Sequence, residues 1–422
     1  MERQYKDSGI EWIGRIPRVW KTTKLSVLYS QRNEKVSDKN YAPLSVTMQG
    51  ILPQLDTAAK TDDGDNRKLV RKGDFAINSR SDRRGSCGIS PCDGSVSLIN
   101  TILKPRGQMN PNFYNWLFHT SVFADEFYKW GHGIVDDLWT TRWQEMKNIS
   151  VVVPTLEEQQ QIADYLDKKC EEIDSLVELQ EQMIAQLTEY KQSVITEAVT
   201  KGLDPNTPLV PSGIDWIGDI PKGWKVQPLK WLLRKPLQYG ANESGILYDN
   251  NLPRYVRITD ILNNSLREDL QKQSLTEEQA EGFILEHNDV LFARSGGTVG
   301  KAFIYKNNYG RCAFAGYLIR AQINSNCSSD FVYYYTQSQS YDEWKKQIFI
   351  QATIQNIGAD RYSILEIPIP PLSEQQAIAS YLDNKCEEID DLIAMKQKKI
   401  ETLKEYKKSV IYEAVTGKIN VA

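Results

Sequence analysis

The chain has 422 residues, 41% hydrophobic and 25% charged, with a formal net charge of −4. That length exceeds what one hydrophobic core usually organises, roughly 250–300 residues, and predicts more than one domain. No apolar run approaches the ~18 residues of a membrane-spanning helix and Met1–Asp7 lacks the basic-then-apolar pattern of a signal peptide, so a cytoplasmic protein is expected.

Metal binding is not expected. Of the six cysteines only Cys87 and Cys92 lie close together, and there are three histidines, whereas a structural zinc site needs four ligands, usually in two close pairs. Free thiols in a reducing compartment are the plain reading. The charge is uneven. Residues 1–153 hold 22 Lys+Arg and 17 Asp+Glu, residues 154–203 hold 4 and 11, residues 204–369 hold 17 and 18, and residues 370–422 hold 8 and 9. An acidic total therefore hides a basic first block, and phosphate contacts need local rather than average positive charge.

In chain order, the opening motif Ser8-Gly-Ile-Glu-Trp-Ile-Gly-Arg-Ile-Pro-Arg-Val-Trp20 leads into a block of short β-rich runs among Gly, Asn and Asp turns, ending near Ile149–Val153. A helix begins at about Pro154. Thr155-x-x-Glu158 has capping-box form, no Pro or Gly interrupts before Gly202, and apolar residues recur at three-four spacing: Ile162, Leu166, Ile173, Leu176, Met183, Leu187, Tyr190, Val194. At ~1.5 Å per residue, about 46 residues give a rod of roughly 69 Å.

Then the frame repeats. Ser212-Gly-Ile-Asp-Trp-Ile-Gly-Asp-Ile-Pro-Lys-Gly-Trp224 restates the opening motif 204 residues on, and Pro370–Thr416 aligns without a gap to Pro154–Thr200, 29 of 47 positions being identical. The second helix offers Ser373-x-x-Gln376 as its cap, Gly417 as its stop, and Ile378, Leu382, Ile389, Leu392, Ile400, Leu403, Tyr406 and Val410 as its stripe. The expected architecture is α+β. Two α/β domains, residues 1–153 and 206–369, alternate with two long helices, 154–205 and 370–422, which pack antiparallel in a coiled-coil-like seam about an approximate twofold axis.

Two similar, diverged domains held apart by a stiff spacer suit an asymmetric DNA site with two unlike halves, because half-sites on one face of the duplex lie a helical turn apart, about 34–36 Å. The Gly-Ile-x-Trp-Ile-Gly-x-Ile-Pro-x-x-Trp motif, the Glu-Gln-Gln helix starts (Glu158–Gln160, Glu374–Gln376) and the Glu-Ala-Val-Thr endings resemble those of type I restriction–modification specificity subunits, over the full length. The resemblance implies two target-recognition domains, double-stranded DNA as ligand, two adenine-N6 methyltransferase subunits as partners and optionally two restriction subunits. S-adenosylmethionine, ATP and magnesium would belong to those partners, none to this chain.

Candidate DNA contacts lie in loops rich in Arg, Ser and Gly, residue types that grip phosphate or read base edges. In the first domain these are Asn78, Ser79, Arg80, Arg83 and Arg84, with His132, Thr141 and Arg142 just before the long helix. In the second they are Arg294, Ser295, Thr298 and Lys301, then Gln351, Thr353, Gln355 and Asn356, with Tyr239 as a lesser candidate. The acidic outer faces of the helices, including Glu171, Glu172, Glu387 and Glu388, are solvated charge or docking surface, and since both copies keep these residues each would dock the same partner.

No catalytic site is expected. Asn110-Pro-Asn-Phe113 departs from the Asn-Pro-Pro-Phe of adenine methyltransferases and lacks an upstream glycine-rich loop; Ser295-Gly-Gly-Thr-Val-Gly-Lys-Ala302 misses a phosphate-binding loop's first Gly and last Ser/Thr. His119, His132 and His287 are scattered. Two alternatives stay open: a non-catalytic coiled-coil scaffold, and a DNA methyltransferase with its own recognition domains.

Overall fold

The computed structural model describes residues 3–54, 63–133, 139–262, 264–350 and 356–421. The chain divides into two compact units, residues 1–181 with 398–422, and residues 182–397. Each unit thus combines a β-rich domain, the start of the long helix following that domain, and the end of the other long helix.

The helices are Leu156–Lys201 and Leu372–Val415, of 46 and 44 residues. The first starts as expected. Glu158 N donates to Thr155 Oγ1 at 3.2 Å and Thr155 N donates to Glu158 Oε2 at 3.3 Å, a reciprocal cap that satisfies two orphan donors. The second does not use Ser373, which already lies inside the helix. Pro371 stands in the place of Thr155, and its carbonyl accepts from Glu374 N and Gln375 N at 2.9 and 3.0 Å. Gly202 and Gly417 end the helices at φ +77° and +71°, a region that favours glycine.

In unit 1 a four-stranded antiparallel sheet runs in the order Cys87–Ile89, Phe75–Asn78, Asn100–Pro105, Tyr29–Arg32. Unit 2 repeats that order with Ala302–Ile304, Val290–Ala293, Leu318–Ala321 and Gln238–Tyr239. A closing pair, Lys21–Lys24 with Ser150–Val153 and Lys225–Pro228 with Glu366–Ile369, joins the start of each domain to its end just before the long helix.

Each sheet buries an aspartate ahead of its second strand, and the cation that answers it comes from different strands. Arg32 Nε donates to Asp74 Oδ2 at 2.6 Å in unit 1; in unit 2 Arg320 approaches Asp289 at 3.5 Å. Burial pushes the Asp289 carboxyl above its ordinary range, against the pull of the Glu286 N–H, Arg320 and Gln322.

The opening motif is a clamp for helix ends. Ile10, Ile13, Ile16 and Trp20 share a core with Ile162 and Leu166 from the start of the first helix and Val410, Ala414 and Val415 from the end of the second. Ile217, Ile220 and Trp224 do the same with Ile378 and Leu382, and with Ile195, Ala198 and Val199. Within each unit the two helical segments are therefore antiparallel. Ser8 Oγ and Ser212 Oγ accept from Ile10 N and Ile214 N at 3.0 and 3.1 Å, which shapes the turn that the motif repeats.

Ile162, Leu166, Ile173, Ile378, Leu382 and Ile389 are buried, and Leu187 and Leu403 half-buried. Leu176 and Leu392 correct the expected seam: they are 44% and 42% exposed. At 100° per residue they fall on the flank of the buried face, which Cys170 and Cys386 occupy instead.

Candidate nucleic-acid interface

In both units the loop leaving the second strand of the four-stranded sheet is pinned against the segment that precedes the long helix. In unit 1, Arg80 bridges Thr140 across an isolated β-bridge, and Thr141 N donates to Ser79 O at 2.9 Å. In unit 2, Ser295 bridges Asn356, and Ile357 N donates to Arg294 O at 2.9 Å. Two stretches that are some 60 residues apart in each half of the sequence thus form one surface, and they do so twice.

The bridges set the correspondence between units. Phe75–Asn78 matches Val290–Ala293 by pairing register, so Arg294 stands where unit 1 has Ser79, and Ser295 where it has Arg80. The loops are counterparts, but their arginines are one position apart and so do not point the same way. Thr140 and Asn356 are equivalent by the same pairing.

Several expected contacts are interior. Asn78, Ser79 and Thr141 are 6%, 4% and 0% exposed. Asn78 Oδ1 accepts from Arg80 N at 3.0 Å, Ser79 Oγ lies 2.9 Å from Thr101 Oγ1, and Thr141 Oγ1 donates to Phe127 O at 2.9 Å. These three correct the expectation of surface contacts: they build the loop, because polar groups taken out of water need protein partners.

The arginines, of which Arg83, Arg84 and Arg142 are exposed and Arg80 and Arg294 half-buried, differ in how free their charges are. Arg84 is engaged by Asp125 at 2.5 Å and lies over the Tyr128 ring, and Arg83 is 3.7 Å from Asp82. Arg80, Arg142 and Arg294 have no ion pair among the described residues. His132 is exposed and exchanges backbone bonds with Thr140; Thr298 is half-buried and Lys301 exposed in the loop that returns to the next strand. Gln351, Thr353 and Gln355 lie outside the described residues. Tyr239 is 42% exposed beneath Arg294. Tyr317, 63% exposed, belongs here too, since its carbonyl accepts from Arg294 N at 3.0 Å. Only a long-range pairing places it there, so the sequence carries no signal for it.

The near-misses to catalytic motifs have structural work. Asn110 caps the helix Pro111–Phe118, its Oδ1 accepting from Asn112 N at 2.8 Å, and its own N donates to Gln159 Oε1 at 2.8 Å. Ser328 caps Ser329–Tyr335 and donates to Gln375 Oε1 at 2.8 Å. Gln159 and Gln375 are buried and donate back to Pro154 O and Pro370 O at 3.0 and 2.9 Å. Their neighbours Glu158 and Glu374 accept from Trp20 Nε1 and Trp224 Nε1 at 3.0 and 3.3 Å. The repeated Glu-Gln-Gln therefore locks each long helix onto its domain. The glycine-rich loop 295–301 turns between two antiparallel strands, where a phosphate-binding loop would lead into a helix.

Residues 221–405 match the family model described as "Type I restriction modification DNA specificity domain". The chain is 27% identical over 211 residues to the type I restriction enzyme EcoKI specificity subunit of Escherichia coli K12, covering 48% of this chain and 44% of that one. It is 25% identical over 291 residues to the MjaVIII specificity subunit of Methanocaldococcus jannaschii, covering 65% and 63%. For EcoKI and for the StySPI specificity subunit of Salmonella potsdam, the match spans under half the length of the relative.

Two solved structures share the fold. A chain from work described as the structural basis of complex assembly and conformational transition of the type I R-M system superposes with a TM-score of 0.75 at 15% identity, over 96% of this chain and 99% of that chain. The HsdS subunit from Thermoanaerobacter tengcongensis gives 0.53 at 16%, over 96% and 98%. The match over residues 221–405, the curated relatives and the shared fold thus all make this chain similar to type I restriction–modification specificity subunits.

Proposed function

We propose that this chain reads double-stranded DNA at an asymmetric, two-part site, one unit per half, and holds modification enzymes there without catalysing a reaction itself. The observation that carries this is the loop pinned against the segment before the long helix, built twice on the same strand order with different residues at its surface. Equal scaffolds with unlike surfaces suit unlike half-sites. In the first unit Arg80 and Arg142 carry charge without an ion-pair partner among the described residues; in the second Arg294 does. Such cations suit phosphate and base edges.

The long helices would set the gap between the halves and dock two copies of an adenine-N6 methyltransferase, with restriction subunits as further partners. Support comes from apolar residues left exposed at matched positions, Leu176 and Leu179 in the first helix, Leu392 and Met395 in the second, at 44%, 45%, 42% and 60%. One partner type binding twice needs the same patch twice. S-adenosylmethionine, ATP and magnesium would be bound by those partners. No described helix is long and apolar enough to cross a membrane, and action beside DNA in the cytoplasm is the consistent setting.

The test is selection of bound duplexes from a random pool by the full chain. Enrichment of a split motif with unlike halves and a fixed gap is expected; a palindrome, or no motif, contradicts the reading.

A further inference from the structure

We propose that Arg294, laid over the ring of Tyr239, is the residue that reads a guanine in one half-site. This rests on the DNA-reading function proposed above and adds a base and a residue to it.

Arg294 is set apart from the other arginines of its unit. Arg234, Arg254, Arg257, Arg267, Arg311 and Arg320 each lie within ion-pair distance of a carboxylate, whereas among the described residues Arg294 has none. Arg361 shares that freedom but is exposed on a short helix, without an aromatic beneath it among the described residues. The guanidinium carbon of Arg294 is 4.9 Å from the Tyr239 ring centroid. Its Nε is buried with no hydrogen-bond partner, which leaves the two terminal nitrogens to meet a ligand.

The support beneath it is fixed. Tyr239 pairs with Ile319 in the sheet and its hydroxyl accepts from Ala359 N at 2.9 Å. Arg294 is held by its own backbone on both sides, N to Tyr317 O and O from Ile357 N. A phosphate contact needs only positive charge, which a mobile side chain supplies. A planar fork held on a fixed ring suits two acceptors in one plane, and on the major-groove edge guanine presents that pair as O6 and N7. Ordering the side chain before binding also removes part of the entropy cost of the contact.

The other unit does not repeat the device. By strand register the places of Arg294 and Tyr239 fall to Ser79, which is buried, and Asn33. One half-site alone should therefore carry this guanine.

The experiment repeats the random-duplex selection with the full chain and with Arg294→Ala, Arg294→Lys and Tyr239→Ala. Wild type should enrich a motif with a guanine in one half. Arg294→Ala and Arg294→Lys should lose that letter, roughly ten- to a hundredfold in discrimination, while the opposite half stays intact and shows that the variants fold. Tyr239→Ala should weaken the same letter. An unchanged motif in Arg294→Lys, uniform weakening across all sequences, or a wild-type motif with no guanine in the affected half overturns the inference but leaves the two-part reader standing. A wild-type chain that enriches nothing removes both.

Discussion

Lys191 Nζ lies 2.7 and 2.6 Å from the two carboxylate oxygens of Asp390, and their repeat mates, Lys407 and Asp174, meet at the same 2.7 and 2.6 Å. Each lysine is 216 residues from its mate, as is each aspartate, so both units hold their antiparallel helical segments in one register. The aspartates are more than half exposed, and such pairs contribute ~0.2–1 kcal/mol. Lys191→Ala should lower stability by no more than that, and the swap Lys191→Asp with Asp390→Lys should restore it. A double-mutant cycle in denaturant melts measures the coupling; a loss of several kcal/mol would mean that the pair supports more than register.

Gln159 spans two backbone groups, accepting from the part-buried Asn110 N and donating to the buried Pro154 O. Gln159→Leu keeps the bulk and strands both, at a cost of about 1–3 kcal/mol for each group left unsatisfied. Gln375→Leu should cost a similar amount through Ser328 N and Pro370 O. Thermal melts of the two variants check this, and neutral substitutions would show that water replaces the amide.

Gly417 and Gly282 separate strain from crowding. Both have positive φ, +71° and +80°, but a Cβ at Gly417 would stand 2.5 Å from Pro17 Cδ and 2.9 Å from Trp20, whereas at Gly282 it meets nothing within 4 Å. Each alanine should incur ~1–2 kcal/mol of backbone cost. Gly417→Ala should add an overlap penalty and loosen the end of the second helix, read as faster amide exchange near Val415. Equal effects at the two glycines would remove the clamp from the explanation.

Burial pushes the thiols of Cys170, Cys312 and Cys386 up to about 11, and that of Cys327 to about 12, while Cys92 is exposed. The thiolate is the reactive form. At pH 8 the folded chain should therefore take up one alkyl group per molecule, at Cys92, and all six only when unfolded. Raising the pH toward 11 should partly ionise Cys170, Cys312 and Cys386 and make them reactive, more slowly than Cys92 because they remain covered, while Cys327 and Cys87, pushed higher by burial, stay mostly protonated. Intact-mass measurement gives the count, and rapid modification of Cys170 or Cys386 at pH 8 would indicate that the helical seam opens.

Inserting four residues after Leu187 lengthens the first helix by about 6 Å and rotates its C-terminal part by roughly 40°. The gap in the selected DNA motif should change, or complex assembly should fail. An unchanged gap in an intact complex would mean that the helix does not set it.

The long helices are legible in the sequence because caps, stops and three-four spacing are local. The second cap is not, because Pro371 uses its carbonyl where Thr155 uses a side chain, and only the observed helix start reveals that. Spacing alone puts Leu176 and Leu392 in the seam because an apolar stripe does not say which flank meets protein. The recognition surface is half legible. Composition points to the Arg80 and Arg294 loops, but the one-position shift between them comes from strand register, and Tyr317 joins them through a backbone contact that no spacing encodes. Asn78, Ser79 and Thr141 mislead because a polar residue in a loop sequence can serve either water or the loop itself.

The most direct test of the two-part reader is a map of methylated adenines on DNA from cells expressing active type I methyltransferase subunits with and without this chain. A split, asymmetric motif that carries methylation only when the chain is present is the expected result. The same methylation in its absence, or none at any split motif in its presence, would contradict it.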